Sequence, residues 1–480
     1  MKTAAAAPHD EFYWITEINK ATVVVESRSG LIKDELARQA ARGIAALESA
    51  ASAPGAKRPA SYIAWEPLLI EAAGQSVTAI HAGRSSQDIL STMRVGIQKE
   101  RALAFARAFD AVIGRMIALA DANVSTIVPS YTNGVAAQPT SWAHTLLGFL
   151  APLLRERVRL REWFERFDRC PMGATVLNGT CWPLDRSGMA EALGFTAPVR
   201  NAFDATCEIA VDASVELSQI AASVALHFGS FLSDVMVQYA QARPWILLAE
   251  GGENTYVSSA MPQKRNPGLI NNCRGDCSDV VAEMAAAVTR VHNLVPGMVD
   301  GKSVAKNGRM SEASVRMCER FLKVLNALRV NPERALEELN SDWTASQEIA
   351  DRLMRDHGLP FRIGHHMASR VVSFARERGI LPLDFPYAEM RRIYAEEIAE
   401  EFPGADPKLP MTEDEFHEAL DPRRIVEGRR TSGSCAPAEV AAMIHEDRAM
   451  LADLSAESER RIAALEDAFK RLDAAFERLL

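Results

Sequence analysis

The sequence of 480 residues has no surplus of positive charge. Lysine and arginine number 54 against 63 aspartates and glutamates, which gives a formal net charge of −9. Proteins that bind nucleic acid or an anionic membrane surface need clustered cations, so the sequence predicts neither as a partner. A small anionic ligand remains compatible with this composition, because one site needs only a few local cations.

Cysteines are few and follow no disulfide pattern. The seven cysteines are an odd number scattered between Cys170 and Cys435, unlike the dense, even sets of small secreted domains. Cys273 and Cys277 have helical spacing, but no second cysteine or histidine pair at zinc-ligand spacing lies nearby. We expect them to be buried small side chains, with metal binding as the alternative. A reducing, cytoplasmic location follows.

Long apolar runs are also missing. The longest, 146–154, is interrupted by Gly148 and Pro152 and is too short to span a bilayer. Residues 1–8 lack the apolar stretch of a secretion signal. With 48% hydrophobic and 24% charged residues, the composition predicts a soluble, globular protein without a membrane partner.

Helical periodicity dominates what is present. Apolar residues at spacings of three and four predict helices over 32–47, 94–122, 208–242, 279–294 and 315–328. Alternating β-branched runs are few, 51–59 has the composition of a surface loop, and no nucleotide-binding glycine motif is present. The prediction is an all-α protein with a central bundle of long helices (89–352) between smaller, mostly helical N-terminal (1–88) and C-terminal (353–480) domains.

The C-terminus carries a narrow apolar seam. Its members step by three and four residues and are Ile462, Leu465, Phe469, Leu472, Phe476 and Leu479. This pattern predicts a helix that packs within its own domain or, as the alternative, forms a coiled coil between subunits.

Three segments collect polar, glycine and proline residues between apolar helices. They are His81 to Asp88, Tyr131 to Asn133 together with Gln138 to His144, and Ser258 to Pro267. Because polar clusters of this kind are unfavourable in a core, we expect them to line a site.

The third segment has the composition of a mobile catalytic loop. Ser258 and Ser259 precede two cations and an amide, and Gly251-Gly252 supplies a hinge. A serine hydroxyl is a poor base unless its alkoxide is stabilised, and a helix that begins near Pro267 offers backbone N–H groups and the positive end of its dipole. The alternative is that the serines only cap a helix and the cations lie on a solvated edge.

These segments carry a family resemblance. The string Ser-Ser-x-Met-Pro-x-Lys-x-Asn-Pro at 258–267 resembles the signature loop of the fumarase/aspartase superfamily. His81-x-Gly-Arg-Ser85 and the second segment resemble the argininosuccinate lyase and delta-crystallin branch, and the similarity extends from about residue 18 to 437. Further branch-like stretches are Asn178 to Thr180, Pro183 to Arg186, Leu193 to Phe195, Asn201 with Asp204-Ala205, and Pro360 to Arg362 with His365-His366.

The resemblance implies a fold, an assembly and a reaction. It implies a homotetramer whose long helices form a shared core, with each active site built from the three segments of different subunits and without a metal or organic cofactor. The implied reaction is anti β-elimination, in which a base removes a proton beside a carboxylate, a dianionic intermediate forms, and an amine leaves an N-substituted aspartate to give fumarate.

Roles for individual residues follow from the same resemblance. By position Ser258 is the base, and Ser259, Lys264 and Asn266 hold the carboxylate on which charge builds. The candidates for anchoring carboxylates or polarising the leaving group are Arg84 and Lys302, joined in the first segment by Ser85, Ser86 and Gln87. Thr132, Asn133, Thr140 and His144 are the candidates for hydrogen bonding and proton transfer. His144 has a buried structural role as its alternative, and Gln87 and Asp88 have helix capping as theirs.

The sequence also departs from the branch. Asn133 and Asn271 replace the usual His/Glu pair, and asparagine cannot titrate, so protonation of the leaving group needs another group, water, or an amine that leaves already charged. Ser86 and Gln87 replace Arg-Asn, and Ile209-Ala210 replaces an Arg-Asp pair. Leu294 and Val299 replace a Tyr and a Gln that contact the arginine part of argininosuccinate. We therefore predict an amine other than arginine.

Two other functions remain as alternatives. One is a non-catalytic homologue with a structural or binding role, like the lens crystallins of this branch. The other is a lyase or cycloisomerase that acts on another dicarboxylate, such as a muconate.

Overall fold

A computed structural model describes residues 8–480, which are mostly helical. The helices are α1 (Glu11–Arg28), α2 (Asp34–Ala51), α3 (Tyr62–Ala73), α4 (Ser86–Asp121), α5 (Trp142–Phe167), α6 (Arg186–Ala192), α7 (Ala202–Cys207), α8 (Ile209–Tyr239), α9 (Gly268–Val291), α10 (Val304–Ala327), α11 (Pro332–Ser341), α12 (Ser346–His357), α13 (Phe361–Arg378), α14 (Tyr387–Glu401), α15 (Glu413–Leu420), α16 (Pro422–Gly428) and α17 (Pro437–Glu477). The strands are β1 (Ile127–Thr132), β2 (Val135–Ser141), β3 (Arg169–Cys170), β4 (Ala197–Pro198), β5 (Ile246–Leu248), β6 (Tyr256–Val257), β7 (Arg265–Asn266) and β8 (Leu328–Val330).

A bundle of long helices forms the main core. α4 packs against α5, α8 and α10, and α9 packs against α8 and α10. Phe228 of α8 and Phe321 of α10 stack with their ring centroids 3.9 Å apart, and Phe109 of α4 packs edge-on against Phe228. Buried aromatic pairs of this kind remove large apolar surfaces from water. The predicted all-α bundle is confirmed.

The strands form short two-stranded pairs. β1 and β2 form an antiparallel hairpin, and β5 pairs with β8 and β6 with β7 in the same sense. β3 and β4 form one parallel pair. None of these pairs grows into a layer of its own, so the core is built by helices.

Helix α1 was not predicted because its sequence shows no amphipathic period. Nearly all of its residues are buried, including Trp14 and Ile15. Trp14 lies against Gly96 of α4, where an added Cβ atom would come within 2.5 Å of the indole ring. A helix surrounded by protein has no polar face for periodicity to reveal.

Helix α8 is long and apolar enough to cross a membrane by length and composition alone. It packs against α4, α5, α9 and α10, and its apolar side chains, such as Phe228 and Phe231, are buried between them. The helix has the surroundings of a core helix.

A second, smaller core lies between Trp343 and Ile425, centred on the fully buried Phe385. Helix α17 then returns to the main core, where its seam packs against α1, α4 and α5. The seam therefore finds its partners within the chain but outside the predicted C-terminal domain. The predicted boundaries at 88 and 352 remain predictions.

The direction of the helices defines two ends of the bundle. We call the end where α4 begins the proximal end and the end where α4 finishes the distal end. With 36 residues, α4 separates them by about 50 Å. At the proximal end, Ser91 of α4 and Lys302 both donate to the carbonyl oxygen of Thr206. At the distal end, the indole of Trp245 donates to the Tyr131 hydroxyl at 3.0 Å.

Candidate active site

The first polar segment forms the start of α4 at the proximal end. Ser85 is the N-cap, its hydroxyl accepts from the backbone N–H of Gln87, and the Asp88 carboxylate accepts from the Ser85 N–H at 2.7 Å. This capping box starts α4 eight residues before the predicted residue 94. The side chains of Ser86 and Gln87 are half-buried in the first turn and have no hydrogen bond to a described residue, so they are available to a ligand.

Asp88 fastens this helix start to the rest of the chain. Its second carboxylate oxygen accepts from the N–H groups of Gly173 and Thr175, at 3.1 and 3.2 Å. Burial raises the pKa of the Asp88 carboxyl, and its backbone N–H partners oppose that shift. The capping alternative is therefore confirmed for Asp88, whereas the Gln87 side chain does not cap.

Arg84 is buried and faces α1. Its guanidinium donates to the Thr22 hydroxyl at 2.6 Å, the Asn19 side-chain oxygen at 3.1 Å and the Tyr62 hydroxyl at 3.3 Å. Glu26 lies nearby in the same interior, where burial raises its pKa to about 7. These contacts give Arg84 a structural role between α1 and α4, and its role in carboxylate binding remains a prediction.

Lys302 lies at the proximal end in a short 3₁₀ turn between α9 and α10. It is 3% exposed, and its ammonium group donates to the Thr206 carbonyl at 2.7 Å. Burial lowers the pKa of Lys302, and the positive charge of Arg94 lowers it further. A buried ammonium whose one partner among residues 8–480 is a carbonyl is a strong attractor for a carboxylate.

The second segment forms the β1–β2 hairpin at the distal end, which the sequence periodicity did not reveal. Asn133 and Gly134 occupy its turn with positive φ angles of 53° and 77°. This is the geometry of a two-residue type I′ turn, for which Asn-Gly is the preferred sequence. Thr132 and Asn133 are exposed there. An Asn-Gly dipeptide between two short runs was the overlooked signal.

Thr140 and His144 lie where β2 leads into α5. His144 Nδ1 is 3.2 Å from the Thr140 hydroxyl, and Nε2 is 3.1 Å from the carbonyl oxygen of Gly433. A carbonyl can only accept, so in the neutral ring Nε2 carries the proton and Nδ1 accepts from Thr140. The ring is thereby held in one orientation while remaining half-buried.

The third segment is a loop between β6 and β7. The Ser258 oxygen accepts from the backbone N–H groups of Ala260 and Met261, at 3.4 and 3.2 Å. α9 begins at Gly268 without a side-chain cap, so neither serine caps it. The donors around Ser258 therefore belong to the loop, which corrects the expectation that the helix start supplies them.

The polar side chains of this loop differ in their restraint. Ser259 and Lys264 are exposed, and neither side chain has a hydrogen-bond partner among residues 8–480. The Asn266 amide donates to the Tyr256 carbonyl at 3.3 Å, and Arg265 pairs with Glu250 at 3.1 Å. The loop is anchored at Asn266 and Arg265 and open at Ser259 and Lys264.

The candidate residues fall into two groups at opposite ends of the bundle. Ser85, Gln87 and Lys302 are proximal, whereas the hairpin with His144 and the Ser258 loop are distal. No hydrogen bond or ion pair between described residues joins any two of the three segments. In residues 8–480, no group of three or more His, Cys, Asp and Glu side chains is placed to hold a metal ion. The predicted burial of Cys273 and Cys277 on one helix, α9, is confirmed.

One functional candidate was missed altogether. Arg94 lies two turns after Gln87 on the same face of α4, close to Lys302. In the sequence it marked only the start of a predicted helix. The spacing of seven residues from Gln87 was the available signal.

Comparisons with known proteins identify the class of this helical bundle as a family of lyases. The family model described as Lyase matches residues 60–282, and the one described as Argininosuccinate lyase C-terminal matches residues 343–427, which coincide with the second core.

Curated relatives extend over most of the chain. Argininosuccinate lyase of Methanoculleus marisnigri is 31% identical over 85% of this chain and 80% of its own length. That of Pelotomaculum thermopropionicum is 29% identical over 88% of this chain and 89% of its own length. The chain belongs to the argininosuccinate lyase family of the fumarase/aspartase superfamily, and it is a carbon–nitrogen lyase.

Solved structures show the same fold. EDDS lyase in complex with formate and an EDDS lyase variant with bound fumarate each superpose with a TM-score of 0.87 at 23% identity, covering 100% of this chain and 93% of theirs. The predicted fold and family are thus confirmed. The roles of single site residues, the assembly and the amine remain open to proposal.

Proposed function

We propose that this lyase releases fumarate from an N-substituted aspartate with Ser258 as the base, and that the amine it releases is not arginine. The observation that carries the proposal is the Ser258 oxygen, which accepts from two backbone N–H groups of its own loop. Such donors favour the alkoxide over the neutral hydroxyl, and an alkoxide is strong enough to remove a proton beside a carboxylate.

The loop also supplies the charge that the intermediate requires. Proton removal places two negative charges on one carboxyl group, so donors must converge on it. The exposed ammonium of Lys264 and the Ser259 hydroxyl, neither of which has a partner in the described part of the chain, can turn toward a ligand, and the Asn266 amide lies at the end of the same loop. Closure of this loop over the substrate would bring the four groups to one carboxylate and exclude water.

A complete site needs more than one chain. The proximal and distal groups lie about 50 Å apart along α4, far beyond the size of any aspartate derivative. We propose a homotetramer in which helices of neighbouring subunits run antiparallel, so that Ser85, Gln87 and Lys302 of one subunit meet the distal segments of others. A soluble, cytoplasmic enzyme fits this assembly.

The leaving nitrogen has a hydrogen-bonding partner at the distal end. Thr140 is buried at the open end of the hairpin whose turn carries Thr132 and Asn133, and its partner His144 is half-buried. Since Asn133 cannot supply a proton, His144 is the titratable group that we assign to the amine. An amine that leaves already protonated needs only hydrogen bonds from this pair.

The proximal surface argues against arginine. Val299 is 57% exposed and Leu294 is half-buried, both beside Lys302 in the chain. A guanidinium placed there would lose hydrogen bonds to water and gain none from these side chains. The relatives are named argininosuccinate lyase, and we expect this chain to differ from them in the part of the site that receives the amine.

The test is a panel of N-substituted aspartates in which fumarate is followed by its ultraviolet absorbance. We expect turnover with a compound other than argininosuccinate and a loss of about 10³-fold in Ser258→Ala, the range of a general base. The matched control is Ser49→Ala, which removes an exposed hydroxyl of α2 and should keep full activity. Wild-type turnover in Ser258→Ala on a confirmed substrate would remove Ser258 as the base.

A further inference from the structure

Arg94 is a half-buried cation without a counter-charge among residues 8–480. Its Nη1 atom is buried and has no hydrogen-bond partner among residues 8–480, and the side chain makes no ion pair with any of them. The residue as a whole is only half-buried, so the guanidinium is reachable from outside. An arginine nitrogen removed from water without a partner is costly, which indicates that something absent from the single chain pairs with it.

A second cation lies beside it. Ser91, one turn before Arg94, donates to the Thr206 carbonyl, and Lys302 donates to the same oxygen. Arg94 and Lys302 are therefore neighbours, and the positive charge of Arg94 lowers the pKa of Lys302. Glu208 acts on Lys302 more weakly than Arg94 does, and neither cation forms an ion pair with a described carboxylate. Two adjacent cations, one buried and one half-buried, call for an anion between them.

The position of this pair along α4 separates it from the first turn. Arg94 is seven residues after Gln87, a rise of about 10 Å along the helix. Ser86 and Gln87 are available for the succinyl part of the substrate, so an anion held by Arg94 and Lys302 belongs to a different part. Leu294 and Val299 precede Lys302 in the chain and are at least partly exposed, so they are available to contact a hydrocarbon spacer between the two.

We propose that Arg94 and Lys302 bind a carboxylate carried by the amine part of the substrate. Resting on the proposed function, this assigns the substrate class as N-(carboxyalkyl)aspartates, in which the departing amine is an ω-amino acid or a similar carboxylated amine. The planar guanidinium suits two parallel hydrogen bonds to such a carboxylate, and the ammonium neutralises it from the other side.

The decisive experiment separates binding from turnover. Ser258→Ala is used as a catalytically silent protein, and calorimetry measures its affinity for N-(2-carboxyethyl)aspartate and for N-propylaspartate, which carries a methyl group in place of the terminal carboxylate. We expect the carboxylated compound to bind about 100-fold more tightly, the effect of a desolvated charge pair. Adding Arg94→Met should remove most of that preference, and Arg94→Lys should restore part of it.

The matched control is Arg107→Met on the same helix, a partly exposed arginine paired with Glu459, which should leave the preference unchanged. Equal affinity for the two compounds in Ser258→Ala, or a preference that survives Arg94→Met, would overturn the proposal. So would a tetramer that dissociates in Arg94→Met while both compounds weaken equally, because the missing anion would then be a carboxylate of the partner subunit.

The outcomes also distinguish this inference from the proposed function. If the carboxylated compound binds with the expected preference but wild-type protein never produces fumarate from it, the proposed reaction on this substrate fails and the anion site stands. If fumarate forms equally well from both compounds, the chemistry stands and the anion site fails.

Discussion

The two ends of the bundle hold their polar side chains in opposite ways. At the proximal end, Asp88 and Lys302 are buried and tied by hydrogen bonds to backbone atoms of distant segments. At the distal end, Ser259 and Lys264 lie exposed on a loop between two-residue strands. The proximal half is preorganised, and in the proposed mechanism the distal loop has to close over the substrate. Substitutions at the proximal end should therefore cost stability, and those at the distal end should cost turnover.

The largest effect should come from the distal loop. Lys264→Met should lower kcat by about 10² to 10³-fold, because a donor to the developing charge is removed, while the melting temperature stays within about 1 °C of wild type. Steady-state kinetics and thermal unfolding measure the two quantities. Lys323→Met, an exposed lysine paired with Glu253, is the control for loss of charge alone. A large loss of stability in Lys264→Met would contradict the contrast between the ends.

The next effect concerns the proximal end. Asp88→Ala should lower the free energy of unfolding by about 3 kcal/mol, since three backbone N–H groups lose their acceptor in a buried site. Chemical denaturation provides the measurement. Asp467→Ala, which removes an exposed surface pair with Lys470, should change stability by less than about 1 kcal/mol. If Asp88→Ala proved as stable as this control, the proximal end would not be preorganised by its cap.

A pH-dependent effect of about 2 to 3 kcal/mol is expected at Glu26. Burial raises its pKa from 4.5 to about 7, so the folded state resists its ionisation. Ionisation of Glu26 therefore destabilises the folded state. This loss of stability is absent below the unfolded pKa of 4.5, grows as the pH rises from 4.5 to 7, and is complete above pH 7. Glu26→Gln should thus stabilise the protein at pH 8 and have little effect near pH 5. Chemical denaturation of both proteins at pH 5 and pH 8 measures the effect. An equal gain in stability at the two pH values would show that the pKa of Glu26 is not raised by burial.

The smallest effect tests the distal hairpin. Gly134→Ala places a side chain at φ 77° and should raise the free energy of the hairpin turn by about 1 kcal/mol. We expect KM to rise as a result, because the turn carries Thr132 and Asn133. Gly148→Ala is the matched control, because Gly148 lies within α5 with open space around its Cβ position and should stabilise the helix slightly. A Gly134→Ala enzyme with unchanged KM would separate the hairpin from the site.

Sequence patterns predicted the amphipathic parts of this fold well. The segment 208–242 was found as Ile209–Tyr239, because its apolar positions and the absence of proline leave few alternatives. α9 and α10 each start eleven residues before their predicted first residue, since their first turns carry loop-like polar residues. α1 escaped prediction because it is buried on almost every side.

The candidate segments could be identified from their composition, but their arrangement could not be predicted. The Ser258 loop was singled out by its hydroxyls, cations and proline, and the roles of the residues in all three segments remain predictions. Local sequence does not contain the distance between segments, which depends on the direction of α4 and α8. Arg94 was missed for a related reason. That it has no partner among residues 8–480 depends on packing, and in the sequence it is an ordinary arginine within a helix.

The length of α4 has a consequence for mixtures of damaged chains. In the proposed tetramer, one chain contributes its proximal groups to one site and its distal groups to another, so a Ser258→Ala chain and a Lys302→Met chain each remove a different contribution. When the two inactive chains assemble into one tetramer, some sites of the hybrid would contain both substitutions and others would contain neither. The hybrid should regain a fraction of wild-type activity. Two different defects carried on two gene copies would therefore be milder together than either defect alone.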